Sequence, residues 1–141
     1  MKSNVGILIR LAAMIYDFFL ILSLLFMMGL VYQIFFDSKD LTNDINMFFY
    51  RLYLLSGILF YFIFSWVKGG QTVGMKAWKF KLITNDGNNV NFYKSLLRFF
   101  IAFISIALFG LGILYIFFNK DNLSLYDKLS NTLLVKVKNK S

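Results

Sequence analysis

The sequence contains no cysteine and no histidine. Disulfides, thiol nucleophiles, histidine-ligated haem and the usual zinc sites are therefore excluded. Glutamate is absent as well, so acid chemistry can draw only on the seven aspartates. No arrangement of nucleophile, base and orienting group is visible among the remaining residues. Neither an enzymatic activity nor a bound cofactor is expected. Charge itself is missing over long stretches: residues 18–36, 52–67 and 99–119 hold no Asp, Lys or Arg.

What fills those stretches is apolar. Hydrophobic residues make up 59% of the 141, against roughly 45–50% in a soluble domain, and the mean hydropathy is +0.66. About 20 apolar residues cross a bilayer as a helix. The pattern predicts an all-α membrane protein: a small multi-span helical bundle, treated as one domain over 1–141. The expected spans are about 7–34, 47–67 and 99–118. The first apolar stretch is longer than the roughly 7–15 residues of a signal-peptide core and ends in no small-x-small site, so it is expected to stay in the mature protein.

The polar segments between the spans carry opposite charge. Residues 37–46 form a short acidic loop. Residues 68–98 hold Lys68, Lys76, Lys79, Lys81, Lys94 and Arg98 against Asp86 alone. The positive-inside rule then puts 68–98 in the cytoplasm together with the N-terminus, and the acidic loop outside. Within 68–98, Gly69-Gly70 reads as a helix stop, Thr72 as the cap of a short helix, 79–84 as a partly alternating strand, Asn85-Asp86-Gly87-Asn88 as a turn, and Asn91 as a helix cap. The tail segment 132–138 also reads as a strand that would pair with 79–84 in a short cytoplasmic β element. Pairing requires the tail on the cytoplasmic side, as does its excess of lysine. A single crossing by 99–118 would instead place it outside. A buried hairpin turning at Gly110-Leu111-Gly112 resolves the conflict, since non-helical backbone at membrane depth is tolerated when packed in protein.

Several motifs resemble those of a known family. Arg10-Leu11-Ala12-Ala13-Met14-Ile15-Tyr16-Asp17 resembles the first-helix signature of the RDD family of membrane proteins, named for one arginine and two aspartates. Gly70-Gln71-Thr72-Val73-Gly74-Met75-Lys76, followed by Lys81-Leu82-Ile83 and Asp86-Gly87, is similar to its central loop. Ser95-Leu96-Leu97-Arg98 resembles the start of its last apolar region, and Leu125-Tyr126-Asp127-Lys128-Leu129-Ser130-Asn131-Thr132 its C-terminal segment. The resemblance implies a small multi-span membrane protein in which Arg10, Asp17 and Asp127 are the name-giving residues. Tyr126 stands where many relatives have histidine, and Asn131 where a small residue is common. The family implies no agreed biochemical activity; some members have been proposed as cation/proton antiporters.

The charged residues admit more than one role. Arg10 and Asp17 share a helix face about 10.5 Å apart along the axis, too far for a direct pair. Arg10 is either an interface anchor that snorkels to the headgroups or half of a specific ion pair. If the helix enters lipid near Ile7, Asp17 lies near the midplane, about 15 Å deep. It either glues helices, bonded to a hydroxyl such as Ser56 or Ser65, or takes up and releases a proton or small cation. The chain offers few other polar groups at depth for transport. Ser124-Leu125-Tyr126-Asp127 has the pattern of a capping box, so Asp127 either caps a short helix or meets Arg10 or Arg98. Lys76, Lys79, Lys81 and Lys94 are expected at lipid headgroups. The glycines at 69–74 lack the order of a nucleotide loop. The first function class is transport of small ions or solutes, of cation/proton exchange type, by a homo-oligomer. The second is a membrane scaffold or assembly factor. The expected partners are an anionic bilayer surface and further copies of the chain, not nucleic acid, at the cell membrane.

Overall fold

The computed structural model describes residues 5–36, 43–108, 111–118, 120–121 and 123–137. Its elements follow in the order α1 (Ile7–Phe35), α2 (Asp44–Gly69), α3 (Val73–Ala77), β1 (Phe80–Thr84), α4 (Phe92–Ala107), α5 (Leu111–Phe118), α6 (Leu125–Leu129) and β2 (Thr132–Lys136). The chain is mostly helical, with one two-stranded sheet.

α1 and α2 are each long and apolar enough to cross a membrane. The burial pattern of α1 is the reverse of a soluble protein's. The buried residues of α1 are Arg10, Ala13 and Asp17, whereas Phe18, Phe19, Phe26, Met27 and Ile34 are exposed. A helix that turns its charges inward and its phenylalanines outward is built for an apolar solvent, where a charge must face protein or a wet cavity. Small residues let the two helices approach. A methyl group at Gly57 would meet the Met28 side chain, and one at Gly29 would lie 3.3 Å from the Tyr50 hydroxyl.

Side-chain oxygens set the helix starts. Asn43 accepts from the Ile45 N–H at 3.2 Å, Thr72 from Met75 at 3.2 Å and Asn91 from Lys94 at 2.9 Å. The caps at Thr72 and Asn91 are where the sequence puts them; α2 begins at Asp44, three residues before the expected start at 47. Gly70 ends α2 at φ 63°, and a Cβ there would lie 2.9 Å from the Leu82 carbonyl oxygen. The glycine both permits the left-handed turn and lets the chain run against β1, where its carbonyl accepts from the Leu82 N–H at 2.7 Å.

The two strands pair antiparallel, with Phe80 opposite Lys136 and Thr84 opposite Thr132. The expected strand pair is therefore present. The tail lies beside the 68–98 segment, at the end of the bundle that holds the start of α1. Phe80, Leu82, Leu133 and Leu134 are buried in this cap, packed with Val5, Trp66 and Val90. The third apolar run is not one continuous helix. α4 starts at Phe92, inside the polar loop, and reaches Ala107; α5 is separate and eight residues long. Gly110, where the turn was expected, lies outside the described residues, as do 37–42 of the acidic loop.

Candidate functional site

Three distant parts of the sequence meet at Asp127. Its carboxylate accepts from the Arg10 guanidinium through Oδ2 and from the Arg98 guanidinium through Oδ1, each at 2.5 Å. Asp127 is fully buried, and both arginines are nearly so. Further bonds hold every partner. Arg10 Nε donates to the Val5 carbonyl at 3.2 Å, and Arg98 donates to Thr132 Oγ1 at 2.8 Å. The Arg98 guanidinium also lies 4.8 Å from the Tyr126 ring centre and 5.5 Å from that of Trp66, within cation–π range.

Asp127 is at the same time the third residue of α6. The Ser124 hydroxyl accepts from its N–H at 3.3 Å, and the carboxylate accepts from the Ser124 N–H at 3.1 Å. The capping box and the ion pair, posed by the sequence as alternatives, coexist. A carboxylate has about four lone-pair sites, and these are shared between the helix start and the two arginines. Arg10 is correspondingly not a snorkelling anchor. Its side chain is covered by Val5 and Tyr126 and turned into protein, because a fixed acid is within reach.

Burial alone would raise the Asp127 pKa, but Arg98 and Arg10 outweigh it and hold the carboxyl below its ordinary value. Burial pushes the neighbouring Tyr126 phenol up, and the Asp127 charge adds to the shift.

Asp17 forms a second site about two turns along α1. Its Oδ1 accepts from the Tyr61 hydroxyl at 2.8 Å and from the Gly74 N–H at 2.9 Å, and its Oδ2 from the Thr72 hydroxyl at 2.5 Å. The expected partners Ser56 and Ser65 are not used; Ser56 bonds its own helix, at the Tyr53 carbonyl. Thr72 and Gly74 follow the end of α2, and α3 folds back against the first turns of α1. Glycine at 74 makes that approach possible: a Cβ there would lie 2.2 Å from the Ala13 carbonyl oxygen. The start of α3 is thus satisfied throughout. The N–H groups of Val73, Gly74 and Met75 go to the Tyr61 hydroxyl, Asp17 and the Thr72 hydroxyl.

The lysines do not join either site. Lys76 and Lys79 are exposed on and after α3, while Lys81 on β1 and Lys94 on α4 are half-buried. Sequence reasoning missed Tyr61, Gly74, Thr132 and Trp66. Gly74 had a signal, since it stands in the same motif as Thr72; Tyr61 had none, being one of eight tyrosines. Among the described residues, two buried side-chain polar atoms have no hydrogen-bond partner, Trp66 Nε1 and Ser95 Oγ.

The geometry of Asp127 makes two predictions. Removing one member of a buried pair costs about 3–5 kcal/mol because the other charge is stranded. Arg10→Ala and Asp127→Ala should each lower the melting point of the detergent-solubilised protein, and the double variant should lose less than their sum. Additive shifts would show that the two side chains act independently. The second concerns acid. The folded-state pKa of Asp127 lies below its unfolded value, so the linked stability is complete above about pH 4 and is lost as pH falls through the folded value. Thermal stability should therefore carry an acid limb below about pH 4 that Asp127→Asn removes; an unchanged limb in that variant would assign it elsewhere.

The geometry agrees with a family comparison. A family model described as the RDD family matches residues 5–131, a range that contains both sites. No curated protein and no solved structure matches the chain. The chain belongs to the RDD family, whose members are membrane proteins.

Proposed function

We propose that this protein is a multi-pass, non-enzymatic scaffold of the cell membrane, with its N-terminus, residues 68–98 and tail in the cytoplasm. The observation that carries this reading is the use made of the family-type charges. Arg10, Asp17 and Asp127 are all engaged in bonds that fasten a small cap of α3, α6 and the β1–β2 sheet to the ends of α1 and α4. Nothing in that use calls for turnover. α3 covers one face of α1 as far as Asp17, and from Phe18 to Phe35 the helix runs about 27 Å at 1.5 Å per residue, close to the hydrocarbon thickness. The cap then sits at the cytoplasmic interface. Lys76, Lys79, Lys81 and Lys94 lie on it near the anionic headgroups, each worth about 1 kcal/mol of attraction.

One observation favours the transport reading. Asp17 lines a groove between helices, as a proton- or cation-exchanging acid in a homo-oligomer would. Its three donors must then be exchanged during each cycle.

Two experiments test these readings. The chain has no cysteine, so single cysteines at Asp44 and Asp86 report sidedness. An impermeant thiol reagent on intact cells should label the first and spare the second; the reverse result would invert the orientation. In proteoliposomes under a proton or sodium gradient, the scaffold reading expects no flux above empty vesicles. Flux by the wild-type protein that Asp17→Asn abolishes, with melting unchanged, would replace the scaffold with the exchanger.

A further inference from the structure

A groove of about 600 Å³ lies between α1, α2 and α4, within the roughly 300–1,000 Å³ of small-molecule sites. Its walls are almost wholly apolar. Phe18 and Ile21 of α1, Ile58 and Phe62 of α2, and Ala102 and Phe103 of α4 all face it. On α2 it extends from Trp66 to Leu55, about 16 Å at 1.5 Å per residue. It is therefore long and narrow.

Its base is different. There Arg10, Arg98, Trp66 and Tyr126 line it. Two guanidiniums share one carboxylate at this end, so the cluster with Asp127 keeps one excess positive charge. Trp66 is 5% exposed, and its Nε1 is buried without an acceptor. Asp17 stands higher on the α1 wall, with its oxygens already accepting from Tyr61, Thr72 and Gly74.

We propose that the groove binds a long-chain carboxylate, its alkyl chain along α1, α2 and α4 and its head at the base, drawn by the one excess positive charge of the Arg10–Arg98–Asp127 cluster. Each part of the ligand answers one feature. The apolar walls take the chain, which a bilayer supplies. The single excess charge matches a carboxylate, whereas a phosphate monoester would bring about −1.5 to −2. That charge also calls for an anion, which a simple hydrocarbon does not carry.

Trp66 itself reports occupancy. The only other tryptophan is Trp78, exposed at the end of α3, and Trp78→Phe leaves one fluorophore. In that background, in maltoside micelles at neutral pH, 2-bromohexadecanoate carries its quenching bromine next to the head. The proposal expects saturable quenching of Trp66 that unbrominated hexadecanoate reverses. It expects weaker quenching by 16-bromohexadecanoate, at least tenfold weaker binding of the 2-bromo methyl ester, and at least tenfold weaker binding to Ala102→Phe, which fills the groove. Quenching that rises linearly with probe, or that hexadecanoate does not reverse, reflects partition into the micelle and overturns the site. Equal binding of the methyl ester overturns the carboxylate head, and stronger quenching by the 16-bromo isomer overturns its orientation. Should Ala102→Phe not melt as a folded protein, the competition arm decides alone.

Discussion

One carboxylate joins the two ends of this chain. Asp127 receives Arg10 from the start of α1 and Arg98 from α4, and it opens α6 through its own capping bonds. In an apolar solvent each of these charges would be prohibitive alone. Together, and surrounded by donors and rings, they are tolerable, but only in one arrangement. Moving any one of the three strands the other two. The residue that follows the last apolar region is thereby held beside the residue that precedes the first. That constraint brings β2 to β1 and requires the chain to come back after α4, which a single long third helix would prevent.

The Asp17 site works with it on the same face of α1, about two turns on. Asp127 fixes α1 to α4 and α6, while Asp17 fixes α1 to α2 and α3 through Tyr61, Thr72 and Gly74. The Thr72 hydroxyl serves both sides of this contact, donating to Asp17 while accepting from Met75. A threonine that only capped α3 could be serine or asparagine without consequence. One that must donate as well cannot be replaced by an aspartate, which has no proton to give when ionised. The seven-residue spacing of Arg10 and Asp17 therefore has a meaning other than mutual pairing. It puts two clamps about two turns apart on one helix face, and each clamp holds a different part of the cap.

Much of this was legible because it was local. The caps at Thr72, Asn91 and Ser124, the stop at Gly70 and the two strands depend on neighbours in sequence, and the pairing of 79–84 with the tail followed from their period and charge. Asp127 and Arg98 were readable as candidates, since a charged residue beside an apolar run needs a partner. What could not be read was the return of α3 onto α1. It turns on Gly74 lacking a Cβ beside the Ala13 carbonyl, a contact between positions 61 residues apart whose only local trace is a glycine in a glycine-rich stretch. Counting turns from Ile7 assumes lipid all around the first turns of α1, whereas the face that carries Arg10, Ala13 and Asp17 is covered by protein.

Both clamps lie toward one end of the long helices, and this determines what the other end can do. Beyond Asp17 the contact of α1 with α2 rests on Gly57 against Met28, Gly29 near Tyr50, and Tyr32 among Tyr50 and Tyr53. Between helices in lipid there is no hydrophobic drive, only packing and hydrogen bonds. The charged end is held by interactions worth several kcal/mol each, the far end by close packing of small and aromatic residues. The groove opens between the two regimes, with polar groups at its closed base and apolar walls above. The arginines that line its base are fixed by Asp127, while its walls are apolar side chains held by packing. A site of that construction recognises a head by fixed charge and accommodates a tail by apolar contact, so its selectivity lies at the base and its tolerance along the walls.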